Sequence, residues 1–269
     1  MASKNKDILV FLEQHPVFTM SELRGYFSLP EGARGASDIL LHNKKMGRIG
    51  AVKEGVYYVV RPGSKPATTH VDPFLLCSKL APDAVLAFHT ALEILGFGHS
   101  VFNTHYCFSN RFRPEVRFRH DRFRAVLTPY KLRKQSLEFF GTERVERLGQ
   151  KIVVTGKERT LVEVLERPQY CGGFEETYRC LGKMPYFQPE IVLEYLELRN
   201  HKSLYARVGF FLEQHREDFH TEESLLVQLE HNKPTQPIYW SLHRKGGVLV
   251  NRWNLIVPNA VRERSWEEG

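Results

Sequence analysis

Arg34, Asp38, Leu41 and Lys45 are spaced by four, three and four residues. On a helix turning about 100° per residue, that spacing puts them on one side. The chemistry of the stripe suits a base-pair edge. A guanidinium in the first turn bridges O6 and N7 of a guanine. A carboxylate accepts from cytosine N4 or orients an arginine one turn away, and an exposed leucine meets a thymine methyl. Ser37, His42, Lys44 and Lys45 flank the stripe, Arg48 lies just beyond it, and Lys53 follows; these suit phosphate oxygens. Between Arg34 and Lys53 five basic residues stand against one acidic residue, a local net of +4. Ala36, Ile39, Leu40, Asn43 and Met46 fall on the opposite side and are expected to be buried.

The elements that must hold this stripe are legible on either side of it. Ile8, Leu9, Phe11 and Leu12 predict a helix over 4–15, closed by Pro16. Thr19-Met20-Ser21-Glu22 has the form of a capping box opening a second helix that buries Leu23, Tyr26 and Phe27. Pro30 and Gly32 make a turn, and the third helix runs from about Arg34 to Met46 with Gly47 at its C-terminal cap. The period then changes to two. Ile49, Val52, Val56, Tyr57, Val59 and Val60 read as two strands around Lys53-Glu54-Gly55. Three helices followed by a hairpin, over residues 1–62, give a winged helix-turn-helix DNA-binding domain.

Residues 63–73, with Gly63, Ser64, Pro66, Thr68, Thr69 and Pro73, have linker composition, and 74–269 form a larger mixed α/β domain. In that domain the pattern predicts a helix over about 83–96 and strands near 101–109, 115–119 and 122–128. A hairpin over 143–155 turns at Gly149, and Thr155-Gly156-Lys157-Glu158 reads as a second capping box. A closing strand pair, 238–242 and 248–257, surrounds Gly246-Gly247. The fold class is therefore α+β.

A second basic feature lies at 111–134, where nine basic residues stand against two acidic ones, a net of +7. Two-residue alternation puts Arg117 and Arg119, and Arg122 and Arg124, on one face of a hairpin. Val116, Phe118, Phe123, Ala125 and Leu127 take the other face, and the turn is expected at His120-Asp121. The arginines form either a ribbon facing a polyanion or a set paired with acids such as Glu138, Glu143 and Glu146.

Composition limits the function classes. With 42% hydrophobic residues the chain of 269 builds a core and is not disordered. The formal charge of +7 permits a nucleic-acid partner. Cys77, Cys107, Cys171 and Cys180 include no C-x-x-C pair, so neither a zinc finger nor a thioredoxin-like site is signalled, and reduced thiols are expected. No apolar run has signal-peptide or membrane-span length, so a cytoplasmic protein without a membrane partner is expected.

No phosphate-binding G-x-x-x-x-G-K-[ST], no G-x-S-x-G and no H-E-x-x-H occurs. His89 reads as a packed or capping histidine. Cys171-Gly172-Gly173-Phe174 reads as a tight helix entry, because no histidine partner is evident for the thiol. The expectation is a non-enzymatic protein with no catalytic residues, metal or cofactor. Two competing readings stand beside it: a nuclease targeted by the winged helix, and a protein-interaction adaptor. Glu115-Val116-Arg117 lacks the lysine that a metal-dependent nuclease site would favour after its glutamate.

Three segments together resemble the AbiEi-type antitoxins of AbiE abortive-infection (type IV toxin–antitoxin) systems. The first is the N-terminal region ending in Gly47-Arg48-Ile49 and Gly55-Val56-Tyr57-Tyr58-Val59. The second is Val153-Val154-Thr155 with Glu158-Arg159-Thr160-Leu161-Val162. The third runs from Pro168 through Gly172-Gly173-Phe174-Glu175-Glu176 and then from Leu204 through Val208-Gly209-Phe210-Phe211-Leu212-Glu213. The resemblance implies a phage-defence regulator: a transcriptional repressor that binds promoter DNA repeats of its own operon. It also implies a C-terminal domain that counters a nucleotidyltransferase-like toxin as functional partner.

Overall fold

The computed structural model describes residues 2–32, 34–240 and 246–266, and the side chains from residue 7 onward within them. The chain is an α+β protein, with twelve α-helices and three sheets among the described residues. None of these helices is long and apolar enough to cross a membrane. Contacts divide the chain into two compact units. The first holds residues 1–86, 103–126 and 144–153; the second holds 87–102, 127–143 and 154–269.

The first unit opens with α1 (Ala2–Gln14), β1 (Val17–Thr19), α2 (Met20–Tyr26), α3 (Arg34–Lys45), β2 (Ile49–Lys53) and β3 (Val56–Val59). The capping box forms as expected: the Glu22 amide donates to Thr19 Oγ1 at 3.2 Å and the Thr19 amide to Glu22 Oε2 at 2.8 Å. Such a cap contributes about 1 kcal/mol. Strand β1 is additional to the expected elements. It pairs antiparallel with β3, giving a three-stranded sheet of order β1-β3-β2. Ile8, Phe11, Leu12, Phe18, Leu23, Ala36, Leu40, Ile49 and Tyr57 close one core, with Phe11 edge-on to Phe18 at 5.1 Å.

Two expected core residues lie outside that core. Tyr26 is 43% exposed and leans on the Phe11 ring from the surface. Met46 is 56% exposed, because α3 ends at Lys45 and Gly47 (φ 69°) turns the chain before the helical angle carries Met46 inward.

The first unit continues with α4 (Pro73–Ser78), β4 (Val85–Leu86), β5 (Thr104–Ser109), β6 (Val116–Phe118), β7 (Asp121–Leu127), β8 (Thr142–Arg147) and β9 (Gln150–Thr155). The strands make a six-stranded sheet of order β6-β7-β5-β4-β9-β8. The turn between β8 and β9 has both residues left-handed, Leu148 at φ 48° and Gly149 at φ 76°, the geometry that suits a twisted hairpin. The helix expected over 83–96 is shorter. Val85–Leu86 joins the sheet because Ala84 to Phe88 is apolar and buried throughout, a pattern that fits a central strand as well as a helix.

The 63–73 segment is hydrogen-bonded to its own unit. Tyr58 Oη donates to Pro66 O at 2.9 Å, and Arg119 donates to both Pro66 O and Thr69 O. Asp72 caps α4 at the Leu75 amide and accepts from Arg147, which lies 4.5 Å over the Phe74 ring. Two further contacts join the opening module to the rest of the unit. Buried Gln150 donates to Val17 O at 2.9 Å, and Lys79 forms an ion pair with Glu22 of the capping box.

The second unit contains α5 (His89–Ile94), α6 (Tyr130–Lys134), α7 (Lys157–Glu166), α8 (Phe174–Leu181), α9 (Pro189–Arg199), α10 (Lys202–Gln214), α11 (Glu223–His231), β10 (Ile238–Tyr239), β11 (Val248–Val250), β12 (Leu255–Val257) and α12 (Asn259–Glu263). The second expected capping box is not formed. Thr155 Oγ1 pairs with Thr160 Oγ1 at 2.7 Å, and Glu158 accepts from the Gln188 amide at 3.0 Å, so both side chains are engaged elsewhere. Arg159 is fully buried. It holds Glu163 at 2.8 Å and the carbonyls of Glu138 and Phe140, while Tyr195 donates to the same Glu163 at 2.7 Å. That network fixes α7 to α9. The expected closing strands also pair differently: β11 is antiparallel to β12 within 248–257, and β10 is parallel to β12. Ser241 and Leu242 of the expected first strand lie outside the described residues.

Candidate functional site

Two constellations stand out, one in each unit. The first is the outer face of α3. Arg34, Ser37, Asp38, Leu41, His42, Lys44 and Lys45 are all exposed, whereas Ala36, Leu40 and Asn43 are buried, so the expected stripe stands on a helix anchored from behind. Leu41 is 55% exposed. Among the described residues no carboxylate forms an ion pair with Arg34, Lys44 or Lys45. Lys44 Nζ lies 5.1 Å from the Tyr57 ring centroid.

The two remaining cations are more committed. Arg48 is half-buried and donates to Asn43 Oδ1 at 3.3 Å, while Asn43 itself donates to Ile39 O at 2.8 Å. Lys53 is half-buried at the end of β2, 3.5 Å from Leu80 O. Burial, then the neighbouring Arg113, lowers its pKa.

The arginine hairpin forms, with Val116 opposite Phe123, Arg117 opposite Arg122 and Phe118 opposite Asp121. Its turn is therefore Arg119-His120, one residue earlier than expected, and Arg119 takes a left-handed φ of 57°. Its guanidinium is held by the Pro66 and Thr69 carbonyls and lies over the Phe118 and Tyr58 rings at 4.8 and 5.6 Å. Arg117 and Arg124 both bind Glu115, the near acid in sequence, and not the distant acids considered above. Those two hydrogen bonds, from Arg124 first and then Arg117, hold the exposed Glu115 carboxyl below its usual range.

The second constellation is buried in the second unit. Phe88 (φ 56°) delivers His89 as the first residue of α5. Cys171 ends a short 3-10 helix, Pro168–Cys171. Gly172 (φ 75°) and Gly173 (φ 105°) then bend the chain into α8, where Glu176 and Cys180 lie one turn apart on the inward face. Ligand atoms of His89, Cys171 and Cys180 all lie within 4.8 Å of one another. Glu176 Oε1 is 3.1 Å from His89 Nε2 and 3.3 Å from Cys180 Sγ. The Ser100 amide and hydroxyl each donate to Glu176 at 2.7 Å, and the His99 amide donates to Cys180 Sγ at 3.3 Å. His89 Nδ1 faces Glu93 Oε2 at 3.5 Å, and the Phe102 ring stands edge-on to the imidazole at 4.2 Å.

Charge in this cluster is strongly redistributed. Burial opposes a charged His89, but the neighbouring Cys180 and the carboxylates of Glu93 and Glu176 outweigh that and push its pKa up to about 9. The hydrogen bond from Cys171 lowers Cys180 to about 6 against the opposing effect of burial, with help from His89 and the His99 amide. The same thiol–thiol bond, together with burial, drives Cys171 upward. Burial raises Glu176, but the Ser100 donors and His89 bring it below the usual range.

Cys171-Gly172-Gly173-Phe174 is the tight helix entry expected, with Gly172 and Gly173 at φ 75° and 105°, and the structure adds a histidine not evident in the sequence: His89, from 82 positions earlier in the chain, has a ligand atom within 4.8 Å of the thiol. No local motif shows a pairing at that separation. The one sequence trace is Glu176 and Cys180, four residues apart after the double glycine.

No protein-family model matches the chain, and no curated protein matches it. Among solved structures it is similar to the RV2827C protein from Mycobacterium tuberculosis, at 15% sequence identity with a TM-score of 0.60, covering 98% of this chain and 94% of that one. At that identity the likeness is one of fold, and it extends over nearly the whole of both chains.

Proposed function

We propose that α1 to β3 form a winged helix that binds double-stranded DNA, with α3 in the major groove. The element order and the antiparallel β1-β3-β2 sheet support this reading. The observation that carries it is the exposed stripe of Arg34, Ser37, Asp38, Leu41 and Lys45, whose cations carry no carboxylate partner among the described residues. Arg34 reads a guanine, Asp38 accepts from a cytosine, and Leu41 meets a thymine methyl. Ser37, His42, Lys44 and Lys45 hold phosphates, with Arg48 and Lys53 beside them.

The resemblance to AbiEi-type antitoxins supports a finer reading. On it the chain represses its own promoter, and its C-terminal part counters a nucleotidyltransferase-like toxin in phage defence. The testing experiment is a fluorescence-anisotropy titration of the full chain against labelled DNA from immediately upstream of its own gene, beside a scrambled duplex, at several salt concentrations. Preference for the upstream duplex, with affinity falling linearly in log salt, is the expected result. Equal affinity for both duplexes, or none for either, overturns it.

A further inference from the structure

We propose that His89, Cys171 and Cys180, with Glu176 as fourth donor, form a closed site for a zinc ion in the second unit. Two thiolates, an imidazole and a carboxylate are borderline-soft donors, the set that selects zinc over magnesium or calcium.

The distances suit such a shell. Four donors about 2.0–2.3 Å from a tetrahedral zinc lie about 3.3–3.8 Å from one another. Glu176 Oε1 is already 3.1 Å from His89 Nε2 and 3.3 Å from Cys180 Sγ. The thiols and imidazole, within 4.8 Å of one another, need to close by only about 1 Å to reach that shell.

The surroundings are those of a built site. A zinc-bound histidine ordinarily donates its second ring nitrogen to a carboxylate, and ligating carboxylates and thiolates are themselves held by donors. Here His89 Nδ1 faces Glu93 Oε2 at 3.5 Å, and among the described residues neither buried atom forms a hydrogen bond. The imidazole is 1% exposed, so two orphaned polar atoms face each other beside the donor set. A metal on Nε2 fixes the tautomer that lets Nδ1–H donate to Glu93. Ser100 secures Glu176 with two hydrogen bonds, and the His99 amide secures Cys180.

The other buried cysteine pair sharpens the argument. Cys77 and Cys107, in the first unit, hydrogen-bond to each other but belong to no group of three or more metal-ligating side chains among the described residues. All four donors at the His89 cluster come from the protein, and both thiols are fully buried. The ion is therefore structural, clamping the start of α5, the 3-10 turn and α8 together.

The test uses the full chain, reduced and metal-free, titrated anaerobically with cobalt(II). Expected are one saturating equivalent, a thiolate-to-cobalt charge-transfer band with tetrahedral ligand-field bands, and bleaching of both by zinc(II). Cys171→Ser and Cys180→Ser each weaken binding at least about 100-fold, and Glu93→Gln weakens it about 10–100-fold. As a measurement needing no variant, alkylation of wild-type protein is followed by mass spectrometry with and without zinc over times long enough for all four buried thiols of the metal-free chain to react through local opening. Cys171 and Cys180 become protected while Cys77 and Cys107 do not change. Absence of a saturable equivalent, the same spectrum in a Cys171→Ser/Cys180→Ser double variant, equal response of all four thiols, or a Cys171–Cys180 disulfide that forms without retaining metal overturns the proposal.

Discussion

Helix α3 and the β6–β7 hairpin are both basic and both stand at the surface, yet their cations are in opposite situations. On α3 the guanidinium and ammonium groups project from a helix whose far side is locked in a core, and no carboxylate answers them among the described residues. On the hairpin, Arg119 is engaged by two backbone carbonyls and two rings, and Arg117 and Arg124 share Glu115. Net charge alone ranks the hairpin first, +7 over 111–134 against +4 over 34–53. Availability reverses that order. A cation that has already exchanged water for a carbonyl gains less from a phosphate than one still hydrated.

The largest expected effect comes from emptying α3. On the proposed DNA-binding reading, replacing Arg34, Lys44 and Lys45 together with alanine should remove one base contact, at about 1–3 kcal/mol, and two phosphate contacts. The slope of log affinity against log salt falls by about 2. Preference for the upstream duplex is lost while the thermal melting curve stays in place, since all three residues are exposed. Unchanged binding by this variant would remove α3 from the interface and leave the adaptor reading.

Arg119→Ala is the mirror experiment. It should destabilise the fold by about 1–3 kcal/mol, because it leaves the buried Thr69 carbonyl without its charged donor, and barely change DNA affinity. Alanine is as strained as arginine at φ 57°, so the loss reports contacts alone. Arg119→Gly relieves the strain and should be less damaging by about 1 kcal/mol. Denaturant melts of both variants check the ordering, and limited proteolysis within 61–72 should accelerate in each.

These contrasts also mark where the sequence stops being informative. The stripe on α3, the capping box at Thr19 and the Gly149 turn are local patterns of helix period or turn chemistry, and they can be read along the chain. Strand β1 is only three residues long, too short for periodicity to register, and is fixed by its pairing with Val56 to Tyr58. Thr155 to Glu158 has the spelling of a capping box, but packing diverts Thr155 to Thr160 and Glu158 to the Gln188 amide. The anchoring of Arg119 to Pro66 and Thr69, and the meeting of His89 with Cys171 and Cys180, are tertiary events across 50 and more residues. Composition marks 63–73 as linker-like because prolines and glycines favour both loose linkers and fixed loops; only the donors that reach its carbonyls tell them apart.

Thr19→Ala tests whether α3 is sensitive to its support as well as to its own side chains. Loss of the cap should cost about 1 kcal/mol. Glu22 also pairs with Lys79, so it keeps a partner and the damage stays local to the start of α2. Specific binding should weaken only in proportion to the fall in stability, with the salt slope unchanged. A change in slope would mean that α2 itself contacts phosphate.

The smallest effect is expected at Glu115, and it bears most directly on the hairpin. Glu115→Gln releases Arg117 and Arg124 together, and Arg117 already stands opposite Arg122, so two guanidiniums lose their shared acid beside a third. Stability should change little, since the group is exposed and water screens the pair. If the hairpin lies along DNA flanking the α3 site, the variant should bind non-specific duplex more tightly, with a salt slope steeper by about 1. If the hairpin lies away from DNA, both stay at wild-type values. Acidification provides the same comparison without a mutation. The folded-state pKa of Glu115 is depressed, so its pairing is intact above the ordinary carboxylate pKa and is lost only as pH falls through that lowered value. The wild-type slope should therefore converge on that of Glu115→Gln only at pH below the usual carboxylate range. Convergence already near neutrality would show that Glu115 does not hold the two arginines in solution, and the distinction between a tied hairpin and an open helix would fail there.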